Sequence, residues 1–325
     1  MKNYGFIPDK IDLEKDYILG GLRSAPFEIL VPSGQWLDFL PEGEKQNRQG
    51  VETFSCVSFG TLNLIEILLR RKFQELKNYS ERFTAIVSNT GTTGNSPQAV
   101  AESVRKLGVV EDYKLPFVDG MSYELFFSPK PMSVEFLIDG KNWLEKFEVR
   151  HEFLFDSGDI KTKQAKLIEG LKSGPLGVSV YAWHQRNGLY YKTDEMLDNH
   201  FVLLVGYEIG KRWIVYDSYL ESEGDFLKDL DWSYDFGMAK RFWIEKKTVV
   251  QLSIMEQIVA LLYRVVNALS QLIAKKQPIV EPKPVEPIVE PIKPEPTKPT
   301  EPIKPPKVSL LLPFADSITI IEGWW

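Results

Sequence analysis

Gln49-Gly50-Val51-Glu52-Thr53-Phe54-Ser55-Cys56-Val57-Ser58-Phe59 holds the only cysteine in the chain. A lone cysteine forms no intramolecular disulfide, so it is either a small buried apolar residue or a reactive thiol. The residues that follow read as a helix. Phe59, Leu62, Ile65 and Leu69 recur at helical spacing, and Arg70, Arg71 and Lys72 close the run. Leu64, Ile67 and Leu68 put apolar side chains on other faces, which predicts a helix buried on most sides. Cys56 then falls in its first turn, where unpaired N–H groups and the helix dipole favour a thiolate.

A thiol needs a base to become a nucleophile, and the base needs a third group to fix its tautomer. Both types of residue occur far downstream. Asn199-His200-Phe201-Val202-Leu203-Leu204-Val205-Gly206-Tyr207 reads as a buried strand opened by a histidine. Arg212-Trp213-Ile214-Val215-Tyr216-Asp217-Ser218-Tyr219 reads as a second strand with a carboxylate at its end. The short connection from Gly206 to Lys211 predicts that the two strands pair, which brings His200 and Asp217 together.

In this order and spacing the residues resemble the papain-like cysteine peptidases. The likeness rests on the Gln49-Gly50 pair ahead of Ser55-Cys56, with Ser58-Phe59 close behind. It rests also on Asn199-His200 leading an apolar run into Val205-Gly206-Tyr207, and on Trp213-Ile214-Val215 running into Asp217-Ser218-Tyr219. Cys56 and His200 lie 144 positions apart, inside the roughly 130 to 150 of that architecture. The resemblance spans residues 30 to 247. It implies an α+β fold in which a helical subdomain, led by the cysteine helix, packs on an antiparallel β-barrel-like subdomain. It implies that Cys56 is the nucleophile, His200 its base and Asp217 the group that orients His200. Gln49 and the backbone N–H of Cys56 are the implied oxyanion hole, with Gln46 as the replacement if the extra residue shifts the loop. Gly94, Phe54 and Tyr219 are the implied substrate-binding residues, and Tyr219 also shields the His200–Asp217 bond from water. Neither the trio nor the resemblance calls for a metal or a cofactor.

There are departures. Phe54 and Val57 stand where the family has its Gly-Ser-Cys-Trp surroundings, Gln49 is one residue further from the cysteine, and Asp217 replaces an asparagine. The family's disulfides are absent, since the chain has one cysteine. A carboxylate performs the same orienting task in other hydrolases.

The 325 residues, 43% of them hydrophobic, suffice for a large core with appendages. A formal charge of −6 excludes nucleic acid as the principal partner, because phosphate binding needs a basic excess. The expected partner is a peptide or protein substrate. Residues 1 to 35 are a turn-rich leader, shorter than the inhibitory prosegments of the family. They contain neither an apolar signal core nor a cleavage signature, which points to a cytoplasmic or virion-associated protein rather than classical secretion.

The catalytic domain is expected over residues 36 to 248. Ser96 caps and Pro97 opens a helix that ends at Gly108. Residues 110 to 158 are aromatic-rich and read as strands. His151 lies among them with no ligand pattern around it. A helix is expected from Lys161 to Leu171 and a strand from Leu176 to Trp183. The Asn187-Gly188 turn forms a hairpin beside His184, the rival base to His200. Trp232 is the candidate for a second aromatic over the site, and Arg241-Phe242-Trp243-Ile244 is the last strand.

Beyond residue 248 the composition changes. Residues 249 to 276 read as an amphipathic, coiled-coil-like helix with Ile254, Ile258, Leu261, Val265, Ala268 and Leu272 along a seam. That helix is a candidate for self-association or a partner protein. Glu256 and Arg264 interrupt it as a transmembrane span; lying on a membrane, not favoured, and packing back on the catalytic domain are the alternatives. Residues 277 to 307 are a Pro-rich linker with polyproline character, and residues 308 to 325 an apolar terminal segment with a faint phage-associated flavour. Two other functions fit the same trio or its remnant: peptidoglycan amide hydrolysis or acyl transfer, and a non-catalytic peptidase-fold assembly or tethering protein.

Overall fold

Helix α1 (Cys56–Phe73) is buried at every position from Cys56 to Leu69. The structure, a computed structural model, describes residues 3–9, 26–155, 158–220 and 226–247, together with Ile258, Leu262, Val265, Val266 and Leu269. Helix α1 ends where Gln74 turns left-handed and its N–H bonds back to the carbonyls of Arg70 and Leu69. The basic last turn is tied down as well. Arg70 and Arg71 donate to the carbonyls of Leu40 and Leu30, and Lys72 pairs with Glu28 and Glu245.

A small hairpin of β1 (Asn47–Arg48) and β2 (Val51–Glu52) precedes α1. Helices α2 (Glu81–Val87) and α3 (Pro97–Leu107) pack beside it, each opened by a serine that accepts an N–H of the first turn. Then come the single turn α4 (Tyr123–Phe126), helix α5 (Val134–Lys146), β3 (Phe147–Phe153) and α6 (Ile160–Leu171). The remaining strands are β4 (Leu176–Val180), β5 (Gln185–Arg186), β6 (Leu189–Tyr190), β7 (His200–Glu208), β8 (Arg212–Tyr216), β9 (Leu227–Asp231) and β10 (Ala239–Lys246). Eight of the strands form one sheet in the order β3-β10-β4-β7-β8-β9-β6-β5, antiparallel except where β6 meets β9. The chain is a mixed α+β protein.

Where strands are expected over residues 110 to 158, the longest element is helix α5. Phe136, Gly140, Trp143 and Phe147 are spaced four, three and four apart, a helical period that aromatic content alone conceals. Only β3 of that stretch is a strand.

The core lies between α1 and the middle of the sheet. Leu62, Ile65 and Leu69 of α1 share one buried cluster with Val178 of β4 and with Val202 and Leu204 of β7. Strand β7 is buried from His200 to Gly206, on both faces, which its unbroken apolar run demands.

The chain divides into two units, residues 1–264 and 265–325. In the second, Val265, Val266 and Leu269 are helical and exposed. In the first, Ile258 and Leu262 are likewise helical and exposed. The rest of the expected seam helix, the Pro-rich linker, the terminal apolar segment, most of the leader and the boundary at 248 lie outside the described residues. Among those described, no helix is long and apolar enough to cross a membrane.

Burial gives the α1–α2 junction an acid-dependent stability. Glu66 and Glu81 are buried, and burial raises both carboxyls well above their usual range. Asp112 is raised to about 6, first by burial and then by Glu44. A carboxyl whose folded pKa is raised contributes stability that is complete below its unfolded value and is lost as pH climbs through the folded one. For Asp112 that window runs from 3.8 to about 6. Asp112→Asn should therefore flatten the decline of the urea midpoint between those pH values. Parallel curves for the variant and the parent would show that Asp112 does not titrate in this way.

Candidate active site

Cys56 is the first residue of α1 and is fully buried. Phe54, two residues earlier, has φ of 54°, a left-handed conformation rare for a bulky residue. It turns the chain from the β1–β2 hairpin into the helix. Glu52 accepts the N–H of Phe54 at 2.9 Å.

Strand β7 passes the start of α1 through Phe201. A Cβ on Gly60 of α1 would lie 2.8 Å from the Phe201 ring, and one on Gly177 of β4 would lie 2.3 Å from it. The two glycines form the slot that admits this ring. It brings the Phe201 N–H within hydrogen-bonding reach of the Cys56 sulfur. His200, the preceding residue, is fully buried too.

His200 Nε2 and Asp217 Oδ1 are 2.6 Å apart. The pairing of Leu203 with Tyr216 puts Asp217 just past the end of β8, level with the start of β7. Its Oδ1 also accepts the N–H of Tyr219 at 3.0 Å. Its Oδ2 accepts Trp183 Nε1 at 3.1 Å and Lys228 Nζ at 2.8 Å. Burial alone would raise the Asp217 carboxyl, but the charges of His200 and Lys228 and their hydrogen bonds outweigh it and hold the group at about 2. His200 Nδ1 is buried and has no hydrogen-bond partner among the described residues.

The expected oxyanion residue Gln49 is elsewhere. It is exposed, in the two-residue turn between β1 and β2, where Gln49 and Gly50 have φ of 47° and 82°. Two consecutive positive φ angles are the demand of a tight hairpin turn, which Gln-Gly satisfies. Gln46 is the buried glutamine. Its Oε1 accepts Ser218 Oγ at 3.0 Å, and its Nε2 donates to Glu52 Oε1 at 2.9 Å and to the Tyr4 carbonyl at 3.0 Å.

That last contact belongs to a segment the sequence reading treated as a mere leader. Residues 3–9 lie along the site as an extended strap. The Tyr4 N–H donates to the Asn199 carbonyl at 3.0 Å, Asn95 N–H to Gly5 O at 3.0 Å, and Ile7 N–H to Asn95 O at 3.0 Å. The Tyr4 ring packs 5.4 Å from His200 and edge-on to Tyr219 at 4.6 Å. Phe6 joins Cys56, Val57, Val100, Phe153, Phe201 and Met238 in one buried cluster. Gly94 is covered: a Cβ there would strike the Gly5 carbonyl at 1.9 Å.

Burial reverses one electrostatic expectation. A helix start favours a thiolate, yet burial raises the Cys56 thiol well above its usual range. Glu52 and Asp217 push it the same way, while the N–H groups of Phe201 and Val57 oppose them. Exclusion of water outweighs the helix terminus in this closed arrangement.

The other aromatic and histidine assignments sort out by position. Tyr219 lies against His200 at 6.2 Å. Trp232 stacks on Trp213 at 4.4 Å, so it belongs to the sheet, and Trp183 is the tryptophan beside His200, at 5.9 Å. His184 is exposed between Tyr181 and Tyr191. His151 is buried on β3, 2.9 Å from Glu102; burial lowers its pKa to about 4, against the pull of Glu102. Among the described residues no three His, Cys, Asp or Glu side chains converge as metal ligands.

No protein-family model matches the chain. No curated protein matches it. Among solved structures, a digestive procathepsin L 3 of Tenebrio molitor larval midgut superposes with a TM-score of 0.47 and 19% identity, over 67% of this chain and 72% of that one.

The Phe201 slot gives a direct test. Gly177→Ala should destabilise the protein by about 1–3 kcal/mol, the usual cost of overpacking. The urea midpoint should fall with an unchanged slope. An unaltered midpoint would mean that the ring swings aside without cost.

Proposed function

We propose that the protein is a papain-like cysteine endopeptidase held closed by its own N-terminal segment. The observation that carries this reading is the buried His200–Asp217 pair, with His200 Nδ1 left unpartnered and the Cys56 sulfur one residue away on the Phe201 N–H. In this reading Asp217 accepts from Nε2, which leaves Nδ1 to take the Cys56 proton. The thiolate attacks the scissile carbonyl, and His200 returns the proton to the leaving amine. Water then hydrolyses the thioester. Gln46 Nε2, now on the Tyr4 carbonyl, is assigned to the oxyanion together with the Cys56 N–H, in place of Gln49. The substrate class follows from the strap: the cleft already binds an extended chain through main-chain hydrogen bonds on Asn95 and Asn199. That favours peptide bonds over murein amides or acyl transfer.

Turnover of a quenched fluorescent peptide mixture tests the assignment. Cys56→Ala should abolish it. Gln46→Ala should lower kcat by about 10²–10³, the effect of one oxyanion donor, while Gln49→Ala leaves it unchanged. Loss on Gln49→Ala with none on Gln46→Ala would reverse the assignment.

Catalysis requires the strap to leave. Phe6→Ala removes roughly 2 kcal/mol of ring burial, and each 1.4 kcal/mol multiplies the open fraction tenfold. Iodoacetamide should then alkylate Cys56 faster by on the order of tenfold. The buried thiol also suits a non-catalytic tethering protein, and an opened strap variant that cleaves no peptide would favour that reading. The exposed apolar residues Ile258, Leu262, Val265, Val266 and Leu269 support assembly through residues 249 to 276 rather than a part in the chemistry.

A further inference from the structure

Asp217 uses a carboxylate for a task that a neutral amide oxygen also performs, namely accepting one hydrogen bond from His200. The carboxylate adds a full negative charge to a site from which water is excluded. Lys228 meets it. Its Nζ lies 2.8 Å from Asp217 Oδ2 and 3.2 Å from the Tyr219 carbonyl, and 5.4 Å from the centre of the Trp183 ring. The lysine side chain is 10% exposed and the aspartate is fully buried. Strand β9 supplies it: Lys228 pairs with Val215, and the Asp217 N–H donates to the Phe226 carbonyl at 2.8 Å, so β9 is held against the end of β8. The long side chain reaches the carboxylate along that edge.

We propose that Lys228 is a positioning residue that cancels the charge of Asp217, so that the carboxylate orients His200 without fixing the proton on it. This rests on the peptidase reading for its purpose, though its electrostatics do not. An uncompensated carboxylate would hold His200 protonated to higher pH and make it a poorer acid toward the leaving amine. The remaining groups around His200 are the uncharged aromatics Tyr4, Tyr219 and Trp183; Glu52, at the end of β2, and Asp217 act on Cys56. Lys228 is thus the cation paired with Asp217 among the described residues.

The test is the titration of His200 by NMR in the full chain, which has only three histidines; the His200 resonance is assigned by its loss in His200→Ala. Lys228→Gln should move the midpoint up by about one pH unit, the effect of one close charge. Asp217→Asn should move it down, because Lys228 then stands alone beside the imidazole. Asp217→Asn combined with Lys228→Gln should return it near the parent value, and Lys228→Arg should leave it unmoved. The alkaline limb of kcat/KM should follow the same order. A Lys228→Gln midpoint unchanged beside a lowered urea midpoint would make the lysine merely structural and overturn the proposal. If Lys228→Gln does not fold, the double variant must still titrate above Asp217→Asn alone; equal values overturn it. If the midpoints move as stated and no peptide is cleaved, the charge balance stands and the peptidase reading fails.

Discussion

Between the first turns of α1 and strand β4 there is room for one aromatic ring, and Phe201 fills it. Gly60 and Gly177 both border that ring, and neither position tolerates a Cβ without movement. Interiors are packed to crystal-like density, so such a slot fixes the height of β7 against the helix. The consequence reaches the chemistry directly. Fixing Phe201 fixes its N–H beside Cys56, and the residue before it, His200, meets Asp217.

The buried His200–Asp217 pair is sustainable only because its polar groups are answered. Taking a carboxylate from water costs several kcal/mol even after relaxation. Asp217 recovers this through four donors: His200, Tyr219 N–H, Trp183 and Lys228. The aromatic wall of Tyr4, Trp183 and Tyr219 excludes water and so strengthens each of these interactions. The same exclusion acts against Cys56, whose thiol is raised while the wall is complete. One low-dielectric environment therefore strengthens the His200–Asp217 pair and raises the Cys56 thiol.

Residues 3–9 complete that wall. Main-chain hydrogen bonds tie Tyr4 to Asn199 and tie Gly5 and Ile7 to Asn95, and the side chains of Asn3 and Asp9 add bonds to Thr93 and Gln98. Phe6 supplies the apolar part of the contact, and the Tyr4 carbonyl occupies the Gln46 amide.

Much of this arrangement was legible in the sequence. The helical period after Cys56, the unbroken apolar run after His200 and the short connection to Asp217 each follow from local patterning, and spacing along one element is what sequence displays. The period of Phe136, Trp143 and Phe147 is equally local, though the aromatic richness of the stretch masks it. What remained hidden was long-range. A Gln-Gly pair is both a motif and a hairpin turn, and only the fold puts Gln49 in an exposed turn and buries Gln46. Lys228, Trp183 and Tyr4 converge on one imidazole and its carboxylate from three distant segments. The strap's pairing with Asn95, and the exclusion of water that reverses the expected thiol behaviour, exist only once those segments meet. The sequence by itself determined which elements form and which residues have the chemistry. The tertiary structure decided which of them touch, because burial, and with it the strength of every charge in the site, is a property of the packed chain and not of any one stretch of it.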